Sequence, residues 1–120
     1  MSVMGAKMPM LRVVEFAKAP GGRFRKDGPA SGEWFRDDIL VPRLKVVDAA
    51  DPLVVELDGA PGYGSSFLEE AFGGLIRLGL FTAVELRERL VVRARTSLYA
   101  PYQRLAERYM AEAVPSRALA

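Results

Sequence analysis

The segment Leu53–Leu78 constrains this chain more than any other. Leu53-Val54-Val55-Glu56-Leu57 is almost wholly apolar and too short for a helix, so it reads as a strand covered on both faces at the centre of a sheet. Asp58-Gly59-Ala60-Pro61-Gly62-Tyr63-Gly64 follows as a glycine-rich loop. Phe67, Leu68, Ala71, Phe72, Leu75 and Ile76 then recur with the period of an amphipathic helix, and Gly79 is its expected stop. A buried strand that turns directly into such a helix is the first half of a strand–helix–strand crossover, which pairs parallel strands.

The flanking segments extend the same alternation. Leu11 to Ala17 predicts a first strand, and Pro20-Gly21-Gly22 a turn. Arg23-Phe24-Arg25-Lys26 then predicts a short return strand, closing a hairpin before Asp27-Gly28-Pro29. Ser31 is a candidate N-cap for a helix through about Lys45 that Pro42 must kink or end. Thr82 with Glu85 forms a capping box for a short helix. Leu90 to Arg95 alternates as a half-exposed strand, and Pro101 opens a final helix with Tyr102, Leu105, Ala106 and Tyr109 inward. The expected fold is a single α/β domain with a mixed sheet of about four strands and helices mainly on one face. Residues 1–10 read as a flexible leader, 11–113 as the domain and 114–120 as a frayed tail.

Composition decides which chemistry is open to this domain. The 120 residues include no His and no Cys, which excludes a thiolate nucleophile, an imidazole base, a Ser-His-Asp triad and a structural zinc site. Seventeen Lys and Arg against fifteen Asp and Glu leave a net charge of +2, too small to imply nucleic-acid binding. Four of the five methionines lie in the first ten residues, but no apolar run there reaches signal-peptide length, and none elsewhere reaches that of a membrane span. A cytoplasmic protein without cofactor or metal is the expectation.

The candidate site is the glycine loop and the helix after it. Gly59, Gly62 and Gly64 allow backbone amides to converge at a helix N-terminus, where the dipole favours negative charge. No lysine follows Gly64, so the phosphate-loop pattern fails. Ser66 with Glu69 matches a capping box, whereas Ser65 reads either as turn chemistry or as a regulatory hydroxyl. Glu69, Glu70, Gly73, Gly74 and Arg77 form the polar side of the helix. Each mid-helix glycine costs about 1 kcal/mol against alanine, so something packs closely there, a partner or a neighbouring segment of the chain. Trp34 is either a core anchor or an interface residue. Arg23 to Lys26 reads either as a phosphate-contacting stretch or as an edge strand blunted by charge.

The run Val54-Val-Glu-Leu-Asp-Gly-Ala-Pro-Gly-Tyr-Gly-Ser-Ser-Phe-Leu-Glu-Glu-Ala-Phe-Gly-Gly-Leu75 resembles the STAS-like domains of unknown function, relatives of the anti-anti-sigma factor fold. Gly22-Arg23, Asp27-Gly28-Pro29 and Ser31-Gly32-Glu33-Trp34-Phe35-Arg36 resemble the N-terminal half of that family, and the likeness spans roughly residues 11 to 112. In anti-anti-sigma proteins an Asp-Ser-Ser-Gly motif lies between a central strand and a helix. Its first serine is phosphorylated by an anti-sigma factor that is also a serine kinase. By that resemblance Gly64 stands in place of the aspartate, Ser65 of the phosphorylated serine, Ser66 of the second serine and Phe67 of the glycine.

The resemblance implies a non-enzymatic regulatory module that docks a protein partner, such as a serine kinase or ATPase of the histidine-kinase-like class. Its expected surface is Gly62, Tyr63, Gly64, Ser65, Ser66, Glu69, Glu70, Gly73 and Arg77, switched by phosphorylation of Ser65. The alternative is binding of a small anion or nucleotide at the helix N-terminus by Gly64, Ser65, Ser66 and Arg23. A hydrolase with Ser65 as nucleophile would have no histidine base.

Overall fold

A computed structural model of the chain describes residues 9–116. Most of the expected leader, residues 1–8, and the end of the expected tail, residues 117–120, lie outside the described residues. Seven elements follow in order: strand β1 (Met10–Arg12), helix α1 (residues 32–44), strand β2 (Leu53–Glu56), helix α2 (residues 65–77), helix α3 (Ala83–Arg89), strand β3 (Leu90–Arg93) and helix α4 (Ala100–Glu112).

The apolar run does form the central strand. β2 lies between β1 and β3, parallel to both, with Val54 opposite Met10 on one side and Val91 on the other. All four residues of β2 are buried, whereas β3 alternates as its sequence predicts. Leu11, Val55 and Val92 face Phe35, Leu40, Phe67, Phe72 and Leu75 of the helices in one core.

The expected mixed, four-stranded sheet is corrected: the described residues hold three strands, all parallel. The hairpin return does not form because local turn chemistry wins. The Asp27 carboxylate accepts the Phe24 N–H at 2.9 Å, and Arg25–Asp27 closes into one 3₁₀ turn. Gly22 precedes it with φ 81°, a left-handed conformation that suits glycine. β1 is also shorter than expected, since Val13–Glu15 winds into a 3₁₀ turn.

Pro42 neither ends nor breaks α1. Phe35–Leu40 is π-helical, and the Val41 N–H bonds to the Arg36 carbonyl five residues back. This wider turn just before a residue that has no N–H lets Val41–Leu44 continue the helix. α2 carries a second π-helical stretch, Glu69–Gly73. It stops in a Schellman motif: Gly79 has φ 74°, its N–H reaches the Ile76 carbonyl at 2.9 Å, and the Leu80 N–H reaches the Leu75 carbonyl at 3.0 Å. The Thr82–Glu85 capping box forms in both directions.

α1 and α2 approach closely at Gly32, where a Cβ would lie 2.6 Å from the Phe67 carbonyl oxygen and 3.2 Å from the Ala71 nitrogen. Only glycine lets the backbones meet this way, and the contact sets α2 at the carboxyl end of β2.

Candidate functional site

The glycine loop is held from three sides. The Asp58 carboxylate accepts the Arg95 N–H at 2.7 Å, the Thr96 N–H at 3.1 Å and the Thr96 hydroxyl at 2.8 Å, tying the loop after β2 to the loop after β3. Desolvation alone would raise the Asp58 carboxyl, but these donors outweigh it and hold the group below its ordinary value. The Tyr63 hydroxyl donates to the Leu57 carbonyl at 2.7 Å, and burial, with Tyr99 and Asp58 nearby, pushes its phenol well up. The Tyr99 hydroxyl donates to the Ala60 carbonyl. The Tyr63 ring lies 5.9 Å from Phe67 and 5.3 Å, edge-on, from Tyr102. Gly59 has φ 108°, with Val14 close on its open side.

This rigid loop delivers the two serines. Gly64 is the N-cap of α2, Ser65 its first residue and Ser66 its second, and no side chain caps the helix. The expected Ser66–Glu69 capping box is absent because the helix starts earlier, with Gly64 at the N-cap and Ser66 already inside the first turn, and two arginines take the Glu69 carboxylate. Among the described residues neither serine hydroxyl makes a hydrogen bond. Ser65 is exposed and Ser66 half-buried.

Beside them lies a cluster of charges assembled from distant segments. Glu69 accepts from Arg23 and from Arg77, the latter at 3.1 and 3.2 Å. Glu70 accepts from Arg36, from Arg23 at 3.1 Å and from Arg77 at 3.0 Å. Arg36 also donates to Asp37 at 2.8 Å. Burial would raise the Glu70 carboxyl, but the hydrogen bonds of Arg36 and Arg23 and the charge of Arg77 outweigh it and hold it below the usual range. Three guanidiniums therefore meet three carboxylates.

Several residues predicted to meet a partner instead serve the interior. Tyr63, Glu70 and Gly73 are buried. A Cβ on Gly73 would stand 3.4 Å from the Tyr109 carbonyl oxygen of α4, and one on Gly74 would stand 2.9 Å from Arg36 Nη1. Close internal packing thus accounts for both glycines. Gly62, Gly64, Ser65, Ser66, Glu69 and Arg77 keep exposed or half-exposed surface. Arg23 points to Glu69 and Glu70, so the cation that an anion site at Gly64, Ser65 and Ser66 would need is already engaged. Trp34 is half-buried against the core.

Sequence reasoning missed Arg36 and placed Glu70 on the docking surface, whereas the two pair in the interior. The available signal was a charge inside each apolar stripe: Arg36 between Phe35 and Ile39, and Glu70 beside Ala71. It also missed Glu56, which is 2% exposed and pairs at 3.7 Å with Arg12 and at 3.5 Å with Arg95. Among the described residues no group of three acidic side chains is placed to hold a metal, and no helix is long and apolar enough to cross a membrane.

A family model described as STAS-like domain of unknown function (DUF4325) matches residues 31–96, from the N-cap of α1 through the end of β3 to Thr96. No curated protein and no solved structure matches the chain significantly.

Proposed function

The chain belongs to the STAS-like domains of unknown function, and from that premise we propose that it is a non-catalytic regulatory module in the cytoplasm. It docks a protein partner through loop residues Gly62, Gly64, Ser65 and Ser66 and through Glu69 and Arg77 of α2. Tyr63, Glu70 and Gly73 support that surface from inside.

The observation that carries the reading is the state of Ser65. It is exposed, opens α2 at the carboxyl end of the central strand, and has a hydroxyl uncommitted to capping. A phosphate there would add about −1.5 to −2 charge at the positive end of a helix. The helix tolerates that charge; a partner seated on the loop with its own carboxylates does not. Glu69, one turn on, is neutralised by Arg23 and Arg77, so the added charge would be the main change in local potential. In this reading a kinase partner supplies the phosphoryl chemistry.

Affinity capture with wild type, Ser65→Ala and Ser65→Asp tests this. A partner retained by wild type and Ser65→Ala and lost by Ser65→Asp is the expected result. Equal recovery of every partner by all three removes the switch.

A further inference from the structure

We propose that the free edge of β3, with the groove between α3 and α4, is a two-fold interface between copies of this chain. The Arg93 carbonyl accepts the Leu57 N–H at 3.0 Å, so the amide and carbonyl of Val92 turn to the opposite edge. Among the described residues no strand pairs there. Gln103 Oε1 occupies the next outward amide, that of Ala94, at 2.7 Å and bounds the open stretch at one end. An apolar groove of about 480 Å³ runs beside this edge. Leu90 and Val92 form its floor, and Leu86 of α3 and Met110 of α4 line its walls.

The rim identifies the occupant. Arg87 stands on the α3 wall and Glu107 on the α4 wall. Among the described residues Arg87 makes no ion pair, and Glu107 accepts only from Gln103, at 3.2 Å. An acidic peptide in the groove would meet Glu107, and a basic one would meet Arg87. A surface with both signs at the same spacing is a second copy, because a two-fold axis brings each Arg87 to the other copy's Glu107. Val91, which lines the groove, is 38% exposed and supplies an apolar contact for the facing copy. The two Val92 residues then exchange backbone hydrogen bonds across the axis, which removes an open sheet edge.

Sedimentation equilibrium over a micromolar concentration series tests the interface in the full chain. Wild type is expected to reach twice the chain mass. Arg87→Glu and Glu107→Arg each weaken the dimer about tenfold or more, because each places two like-charge contacts across the axis. The double reversal restores it. Both positions are exposed, and circular dichroism checks that each variant is folded. A wild-type monomer throughout the series overturns the proposal and leaves the groove to a different partner. So does a dimer that ignores the single reversals, or single losses that the double reversal fails to recover.

Discussion

Glu70 on α2 accepts a hydrogen bond from Arg36 on α1, and each side chain is only 4% exposed. The same guanidinium also donates to the Glu70 backbone carbonyl at 3.2 Å, so the pair fixes both the turn and the side chain. Buried ion pairs add little net stability over well-packed apolar residues, because desolvation offsets their attraction. Once the fold is built around one, however, removing a single partner leaves a buried charge uncompensated.

Glu70→Ala is therefore expected to cost about 3–5 kcal/mol of unfolding free energy. It leaves Arg36 with Asp37 as its carboxylate partner, beside the Glu70 backbone carbonyl. Urea denaturation at neutral pH measures the loss. The double variant Arg36→Met with Glu70→Leu, which removes both charges and keeps volume, is expected to be more stable than Glu70→Ala. A Glu70→Ala midpoint equal to wild type would mean that water reaches the pair freely.

The same carboxylate makes stability depend on acid. Its folded pKa lies below the ordinary 4.5, so between the two values the unfolded chain binds more protons than the folded one. The contribution is complete above 4.5 and is lost as pH falls through the depressed folded value. Asp58 shifts in the same direction from 3.8, held down by its hydrogen bonds from Arg95 and Thr96. Glu70→Gln has no proton to exchange. The gap in urea midpoint between wild type and Glu70→Gln is thus expected to narrow as pH drops from about 6 to about 3. A constant gap would show that Glu70 does not titrate differently on folding.

Glycine substitutions separate backbone contact from looser packing. Gly32→Ala places a methyl 2.6 Å from the Phe67 carbonyl oxygen, a backbone atom that cannot step aside, and is expected to cost about 1–3 kcal/mol. Gly73→Ala meets Glu69 Oε2 at 3.1 Å and the Tyr109 carbonyl oxygen at 3.4 Å. There the gain in helix propensity of about 1 kcal/mol offsets much of the crowding. Thermal melts should rank Gly32→Ala well below Gly73→Ala, and the reverse order would contradict the α1–α2 contact.

These contacts also mark where the sequence was legible. The β2–loop–α2 unit could be read because a buried run, a glycine cluster and a helical stripe are all local patterns, and the Thr82–Glu85 capping box formed for the same reason. The similar Ser66–Glu69 pattern failed because the helix begins two residues before it, at the Gly64 N-cap, and Glu69 is paired with Arg23, 46 residues away in sequence. Arg36 and Glu70 lie 34 residues apart, and nothing local couples them. Alternation at Arg23 to Lys26 mimicked a strand, but Asp27 could reach back to the Phe24 amide and turned the chain first. At the candidate site, Ser65 was legible from its place in the loop. The burial of Tyr63, Glu70 and Gly73 follows from α1 and α4 packing on α2, which no local pattern encodes.

The N-terminus of α2 has capping potential that the chain does not use. Gly64 occupies the N-cap with φ −71° and ψ 145°, a conformation open to any residue, and a Cβ there would meet nothing within 4 Å. Gly64→Asp therefore introduces no clash and places a carboxylate where it can accept the Ser66 or Phe67 amide. The cap gives a few tenths of a kcal/mol over glycine and the helix dipole about 0.3–1 kcal/mol more, a rise of a few degrees in Tm. The gain requires an ionised carboxylate, so melts near neutral pH should show it and melts at about pH 3 should show much less. Gly64→Ser, which caps without charge, should keep its smaller gain at both values. If Gly64→Asp melts at or below wild type near neutral pH while Gly64→Ser gains, the loop already presents enough negative potential to cancel the dipole term. A phosphate on Ser65 would then destabilise the helix that it is proposed to leave intact.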